Sequence, residues 1–248
     1  MELLTAYLRE NSPRKPQEDE TREIDEADAR NKPYPPSLRL EIQAIVAVLG
    51  RRERGGEREV YTESVDGVAH SKPLELQLAE TDLRGAGLFK GNFAHANFFR
   101  ANLCDASMQE ADFDGCEFER TFLGKAKLCE ATAKGAGFAQ ARLPRANLYG
   151  ADLSAANFGE ASLQGASLVS AIFSGANLRN CDLTRADLSK ARLDGADLQG
   201  ARLDDAHLKH VDLSATEGLT QEQLDKSWGD RQTVLPEGLE RPSRWHVE

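Results

Sequence analysis

Large apolar residues return at every fifth position along most of this chain. From Leu78 the count runs through Leu83, Leu88, Phe93, Phe98 and Leu103 to Leu213, 28 positions without an insertion. All are Leu, Phe or Met except Ala133. Two residues earlier the residue is almost always small, Ala in most repeats, with Thr81, Gly91, Cys116 and Cys181 among the variants. A helix repeats apolar positions near 3.6 and a strand near 2, so neither explains a period of five.

A separation of two places the small and the large residue on one side of an extended stretch. The next two positions are polar and often end in Gly, as at Gly85, Gly115, Gly150, Gly165, Gly175, Gly195 and Gly200. Gly relieves a turn that needs positive φ. Asp or Asn commonly precedes the large residue, as at Asp82, Asn102, Asn147, Asp152, Asn177 and Asp187. Those short side chains bond nearby backbone at corners. Each pentapeptide therefore reads as a short extended side plus a turn, and repetition winds a coil filled by Leu and Ala.

Sorting the central residues by four gives the number of sides. One column reads Leu78, Phe98, Phe118, Phe138, Phe158, Leu178, Leu198. The second is all Leu, and the third is Leu except for Met108. The fourth reads Phe93, Phe113, Ala133, Leu153, Phe173, Leu193, Leu213. All seven central Phe residues thus fall on two adjacent sides, whereas sorting by three scatters them. Phe stacks on Phe of the neighbouring coil, so the expected coil has 20 residues and the 28 repeats make seven coils. Parallel strands lie about 4.8 Å apart, which predicts a rod about 34 Å long with open ends that need caps.

These A(D/N)Lxx repeats resemble the pentapeptide-repeat family over residues 76–215. The resemblance implies an all-β solenoid, a right-handed quadrilateral parallel β-helix with small helical flanks. It implies little about function, because members of the family differ widely.

Three segments are expected: a helical and linker segment over 1–73, the β-helix over 74–215, and a capping helix and tail over 216–248. Met1 to Glu10 puts Leu3, Leu4, Tyr7 and Leu8 on one helical face, and the polar stretch 12–36 reads as a linker. Ser37 caps a helix to about Leu49, with an apolar face of Leu38, Ile42, Ile45, Val46 and Leu49 and Gly50 as its stop. Residues 51–70 read as loop. That helix resembles a segment preceding the repeats in larger bacterial relatives, so the chain is expected to be a shortened version or a fragment. After Leu213, Thr220 reads as an N-cap with Gln223 at the capping-box position. Leu224 and Trp228 are expected on one helical face, Gly229 as the stop, and the tail to Trp245 as a lid.

Charge narrows the partner classes. The net charge is −10, which disfavours binding to phosphates. Residues 76–215 hold 18 acidic and 15 basic side chains, so the repeats themselves are near neutral. No apolar run reaches the length of a membrane span. The N-terminus lacks a secretory pattern, and the four cysteines form no CxxC pair. Reduced thiols in a cytoplasmic protein are the expectation.

Candidate chemistry is sparse. His207 and His210 are the only closely spaced histidines, and in this coil they fall on a corner and the following turn. They read as solvated surface rather than metal ligands. Cys104 and Cys129 should point outward, and Cys116 and Cys181 should fill the small inward position. No phosphate loop, nucleophile elbow or metalloprotease motif occurs, so neither catalysis nor a cofactor is expected.

The position after the large residue on the third side is less bland. It reads Phe89, Gln109, Cys129, Tyr149, Val169, Ser189, Lys209. Phe89, Cys129, Tyr149 and Val169 make a candidate contact stripe, covered by the Leu38–Leu49 helix, by a protein partner or by a second copy. Ala133 leaves space in its column, into which Phe113 is expected to tilt unless the coil pinches inward.

The expected role is a non-enzymatic, rigid protein-interaction scaffold. The alternative rests on the family resemblance: some members resemble DNA and modulate DNA gyrase or related topoisomerases, protecting them from toxins or quinolones. The corner ladders argue against it. They read Asp82, Asn102, Phe122, Arg142, Ser162, Asp182, Arg202 and Gly87, Ser107, Lys127, Asn147, Ser167, Asp187, His207, which mix acids with bases.

Overall fold

The computed structural model describes residues 60–65, 68–73 and 76–246. The expected helices within 1–10 and 37–49, and the linker between them, lie outside the described residues.

The chain departs from expectation just before the repeats. Strands β1 (Val60–Val65) and β2 (Val68–Pro73) pair antiparallel, with Val65 opposite Val68. The expected loop over 51–70 is therefore corrected, as is a purely helical and linker reading of 1–73. The residues between the strands are Asp66 and Gly67, the dipeptide that most strongly favours two-residue hairpin connections.

From Gln77 onward every side of the coil is one parallel bridge to the residue twenty positions later, from Gln77↔Asn97 to Asp197↔Glu217. The bridging residue is the polar one between the small and the large positions. Its neighbours carry the bonds: Leu103 N–H donates to Phe122 O at 2.7 Å, and Phe122 N–H donates to Ala101 O at 3.0 Å. Twenty residues at five per side is the period that the Phe columns predict.

Each corner closes with one further bond, as where Ala106 N–H donates to Leu103 O at 3.1 Å. The third turn residue has positive φ at every fifth position from Glu80 to His210, and nineteen of these residues are not Gly. Positive φ at that position alone is what a type II turn requires. The conformation is held by the stack, because the N–H of the same residue donates to the next coil: Lys90 N–H reaches Gln109 O at 3.0 Å.

The Asx residues act as expected. Asn102 Oδ1 accepts from Cys104 N–H at 3.2 Å, and Asp187 Oδ1 accepts from Ser189 N–H at 3.0 Å. Thus the A(D/N)L signature combines an inward methyl, a corner acceptor and an inward large group.

The core is four columns of inward side chains stacked along the coil axis. All 28 central residues are at most 2% exposed. Inward polar variants donate to nearby carbonyls: Thr81 to Leu78 O at 2.6 Å, Thr121 to Phe98 O at 2.7 Å and the Cys116 thiol to Phe93 O at 2.9 Å. These bonds remove the cost of burying a donor.

Phe113 sits among three neighbouring rings. Its ring stays within 12° of Phe93 and meets Phe98 and Phe118 edge-on at 6.1 and 5.5 Å. Three rings hold it in place. The ladder also passes Ala133 undistorted, with Phe113 N–H to Thr132 O at 2.7 Å and Ala133 N–H to Asp152 O at 2.8 Å.

The C-terminal segment continues the stack irregularly. Helix α1 (Gln221–Lys226) starts from the Thr220 N-cap with its capping box. It ends at Ser227, not Gly229, and Trp228 lies off the helix in a bridge with His207. Leu224 and Trp228 therefore do not share a helical face. Val234 bridges Asp212, and the Gln223 amide donates to Leu198 O and Ala201 O at 2.9 and 2.7 Å. The exposed edge of the last regular coil is thereby occupied. Trp245, in a 3-10 turn (Ser243–His246), donates from Nε1 to Ser227 O at 2.9 Å. Gly229 permits this approach, since a Cβ there would stand 2.6 Å from the indole.

Candidate contact face

The third side carries the candidate stripe on a fixed backbone. The carbonyls of Gln109, Cys129, Tyr149 and Val169 accept from Lys90, Glu110, Glu130 and Gly150, respectively, each one coil earlier. Phe89 is 55% exposed and Tyr149 48%. Cys129 and Val169 are half-buried. Gln109 stands between Phe89 and Cys129, and its Oε1 is shielded from solvent without a hydrogen-bond partner among the described residues. Lys90 lies over the Phe89 ring, 5.0 Å from its centre, and pairs with Glu110 at 3.2 Å. The upper stripe is therefore framed by paired charge, and the lower stripe ends at Ser189 and Lys209.

A basic cluster adjoins the stripe, and the single-ladder reading missed it. Phe122 bridges Arg142, whose guanidinium lies 5.3 Å from the Phe122 ring centre. Lys125 N–H donates to Pro144 O at 3.0 Å, which places it one coil before Arg145. Lys127 bridges Asn147, two residues before Tyr149. Lys125, Lys127, Arg142 and Arg145 come from two positions of the repeat and lie on three ladders, so no one ladder reveals them. The sequence signal was a local one: two successive coils whose second and third sides hold four cations. Among the described residues, Lys125, Lys127 and Arg142 form no ion pair.

Several other surface charges pair between coils. Arg202 reaches Asp182 at 3.2 Å, Arg179 reaches Asp197 at 2.9 Å, and Lys134 reaches Asp152 at 3.1 Å. On one corner ladder Arg202 thus faces Asp182 of the neighbouring coil.

The remaining candidates fall where the repeat places them. Cys116 and Cys181 are buried, and burial pushes both thiols far up. Cys104 and Cys129 are half-buried, and all four are free. His207 is exposed on its bridge, and His210 Nδ1 lies 2.7 Å from Asp230. Among the described residues no group of His, Cys, Asp and Glu is arranged to hold a metal ion. Among them, too, no helix is long and apolar enough to cross a membrane.

Several solved structures are similar to this chain. The trypsin-treated form of QnrB1, a plasmid-mediated fluoroquinolone resistance protein, is similar with a TM-score of 0.54 at 20% identity, over 62% of this chain and 81% of that one. HetL, a pentapeptide repeat protein involved in heterocyst differentiation regulation in the cyanobacterium Nostoc, is 27% identical with a TM-score of 0.35, over 67% of this chain and 81% of that one. Rfr23 from the cyanobacterium Cyanothece, another pentapeptide repeat protein, is 21% identical with a TM-score of 0.32, over 65% of this chain and 90% of that one. The QnrB1 likeness bears on the fold alone. A search of curated proteins by sequence gives no significant match. The pentapeptide-repeat family model matches residues 96–132, 123–159, 146–185 and 181–216 in 8 copies. With its five-residue register and twenty-residue ladders, the chain belongs to the pentapeptide-repeat family.

Proposed function

We propose that this protein is a non-enzymatic scaffold: a right-handed, four-sided β-helix of seven coils whose third side docks a protein partner. The observation that carries the reading is the alignment of Phe89 and Tyr149, 55% and 48% exposed, on one ladder with Cys129 and Val169. Large exposed apolar groups scattered singly mean little, but an aligned set with aromatic residues beside Arg has the composition of a contact site. The rod supplies rigidity, since the carbonyls of Cys129, Tyr149 and Val169 each accept a backbone bond from the preceding coil. The four free thiols support a reducing compartment, the cytoplasm.

The alternative is a DNA-like modulator of gyrase. It needs acids lined up on successive coils, and the pairing of Arg202 with Asp182 and of Arg179 with Asp197 works against that. An assay of gyrase supercoiling with the purified protein separates the two readings. Inhibition supports the alternative, and no effect at large excess supports the scaffold.

The scaffold reading is tested by affinity capture from the native host. The full chain is compared with Phe89→Asp/Tyr149→Asp. Loss of a specific captured protein, at unchanged melting temperature, supports it. Identical captured sets from both chains overturn it.

A further inference from the structure

We infer that the contact face takes an acidic helix of its protein partner, laid along the rod with a row of carboxylates on the turn between the second and third sides. The inference rests on the reading of the third side as a contact face and adds the chemistry of what docks there.

The division of charge around the rod carries it. The second and third sides of three successive coils, residues 121–130, 141–150 and 161–170, hold four cations and one acid. The fourth and first sides beside them, residues 111–120, 131–140 and 151–160, hold two cations and six acids. Ion pairing follows the same line. On the first and fourth sides every repeat cation has a carboxylate: Arg100, Arg120 and Arg179 with Glu80, Glu119 and Asp197, and Lys134 and Arg192 with Asp152 and Asp194. Lys125, Lys127, Arg142, Arg185, Lys190 and Lys209 pair with none among the described residues. All six lie on the second and third sides or the turns that follow them, where Arg84, Lys90 and Arg202 are the paired ones.

This division suits an acidic protein segment better than a nucleic acid. The whole chain carries −10, which repels a long polyanion at range. A short segment feels the local cations, within a screening length of about 8 Å.

The rise of the coil selects a helix. The N–H groups of Lys125, Arg145 and Gly165 donate to Pro144, Gln164 and Thr184 O at 3.0, 2.9 and 2.9 Å. Lys125, Arg145, Gly165 and Arg185 therefore form one ladder on successive coils, with Lys127 beside it and exposed. Cys129, Tyr149 and Val169 rise in a parallel row on the third side. Coils are about 4.8 Å apart, and a helix advances about 5.4 Å per turn. One turn per coil drifts by less than about 2 Å over three coils, which flexible Lys and Arg absorb. An extended strand repeats its face about every 6.7 Å and is out of step by about 4 Å after two coils. A helix with one acidic row beside one apolar row thus meets both ladders at once.

The test is fluorescence anisotropy of labelled peptides titrated with the full chain. The probe is a stapled helix with Glu at i, i+4 and i+7 beside a row of Leu. The same residues rearranged to alternate Glu and Leu test the helical register, and a single-stranded DNA oligonucleotide tests the class of partner. The stapled helix should bind, and should weaken about tenfold in Lys127→Glu/Arg142→Glu and in Tyr149→Asp. It should keep its affinity for Arg192→Glu on the fourth side. Circular dichroism of each variant checks that the rod is intact. Absence of binding, equal binding of the rearranged peptide, tighter binding of the oligonucleotide, or unchanged affinity in the double charge reversal would overturn the proposal. The host capture reports on the contact face separately. A partner lost from Phe89→Asp/Tyr149→Asp but kept by Lys127→Glu/Arg142→Glu would spare the face and sink the acidic helix. An unchanged captured set beside specific binding of the stapled helix would do the reverse.

Discussion

Phe138 and Phe158, twenty residues apart, stack face to face with ring centres 4.5 Å apart and planes within 3°. The column extends through Phe118 and Phe98 at 4.7 and 4.9 Å. These separations match the spacing of paired strands, so the rings and the backbone ladder demand the same rise per coil. Phe138 sits in the middle of the column and is fully buried. Phe138→Ala should cost about 4 kcal/mol, the usual loss for truncating a buried ring, and denaturant unfolding reads it directly. A cost below about 1 kcal/mol would mean that the stack is incidental to stability.

Ala133 is the gap beside that column. Phe113 meets three other rings, and the ladder through Ala133 keeps ordinary bond lengths. Ala133→Leu should therefore raise the melting temperature, with a gain of about 1 kcal/mol from added burial. A strong loss would show that the neighbours already fill the space.

The corners make a prediction about backbone rather than packing. Ala155 holds φ at 55°, a region where an L side chain is strained, while Gly135 holds φ at 63° with nothing near its Cα to obstruct a methyl. Ala155→Gly should stabilise by about 0.5 kcal/mol, since relief of the left-handed strain exceeds the added freedom of the unfolded chain. Gly135→Ala should destabilise by about 1 kcal/mol for the converse reason. Thermal melts of the two single variants should therefore move in opposite directions.

The coil was legible because one register repeats without interruption from Leu78 to Leu213. Even its number of sides could be read, since Phe98, Phe118, Phe138 and Phe158 stack only at a twenty-residue period. What escaped lacks that redundancy. The β1–β2 hairpin rests on the single Asp66-Gly67 signal, which a charged, Gly-containing stretch obscured. The helix stop at Ser227 escaped because Trp228 is drawn into a bridge with His207, a tertiary contact that local helical spacing does not encode. At the contact face, the stripe followed from one ladder. The basic cluster is spread over several ladders, so it emerges only when Lys125, Lys127, Arg142 and Arg145 are set on adjacent coils.

Corner carboxylates give the fold a pH dependence. The Ser214 hydroxyl and then its N–H, at 2.6 and 2.9 Å, hold Asp212 below the ordinary carboxylate range. At Asp197 the Gln199 N–H leads, burial opposes it, and Arg179 adds to the lowering. At Asp152 and Asp230 burial is the largest influence and pushes upward. It is outweighed at Asp152 by Ser154 and Lys134, and at Asp230 by His210 and Thr233. A carboxyl lowered on folding binds its proton more weakly in the native state than in the unfolded chain. Its stabilisation is thus fully present above the unfolded value, about 3.9, and is lost as pH falls through the lower folded values. The melting temperature should be nearly flat from neutral pH down to about pH 5, then fall steadily below about pH 4. Asp212→Asn should melt lower at neutral pH, because the amide accepts the Ser214 bonds without charge. It should also fall less steeply in acid, because one titrating group is gone. A wild-type melting temperature that rises below pH 4, or an acid slope unaltered in Asp212→Asn, would contradict this account of the corners.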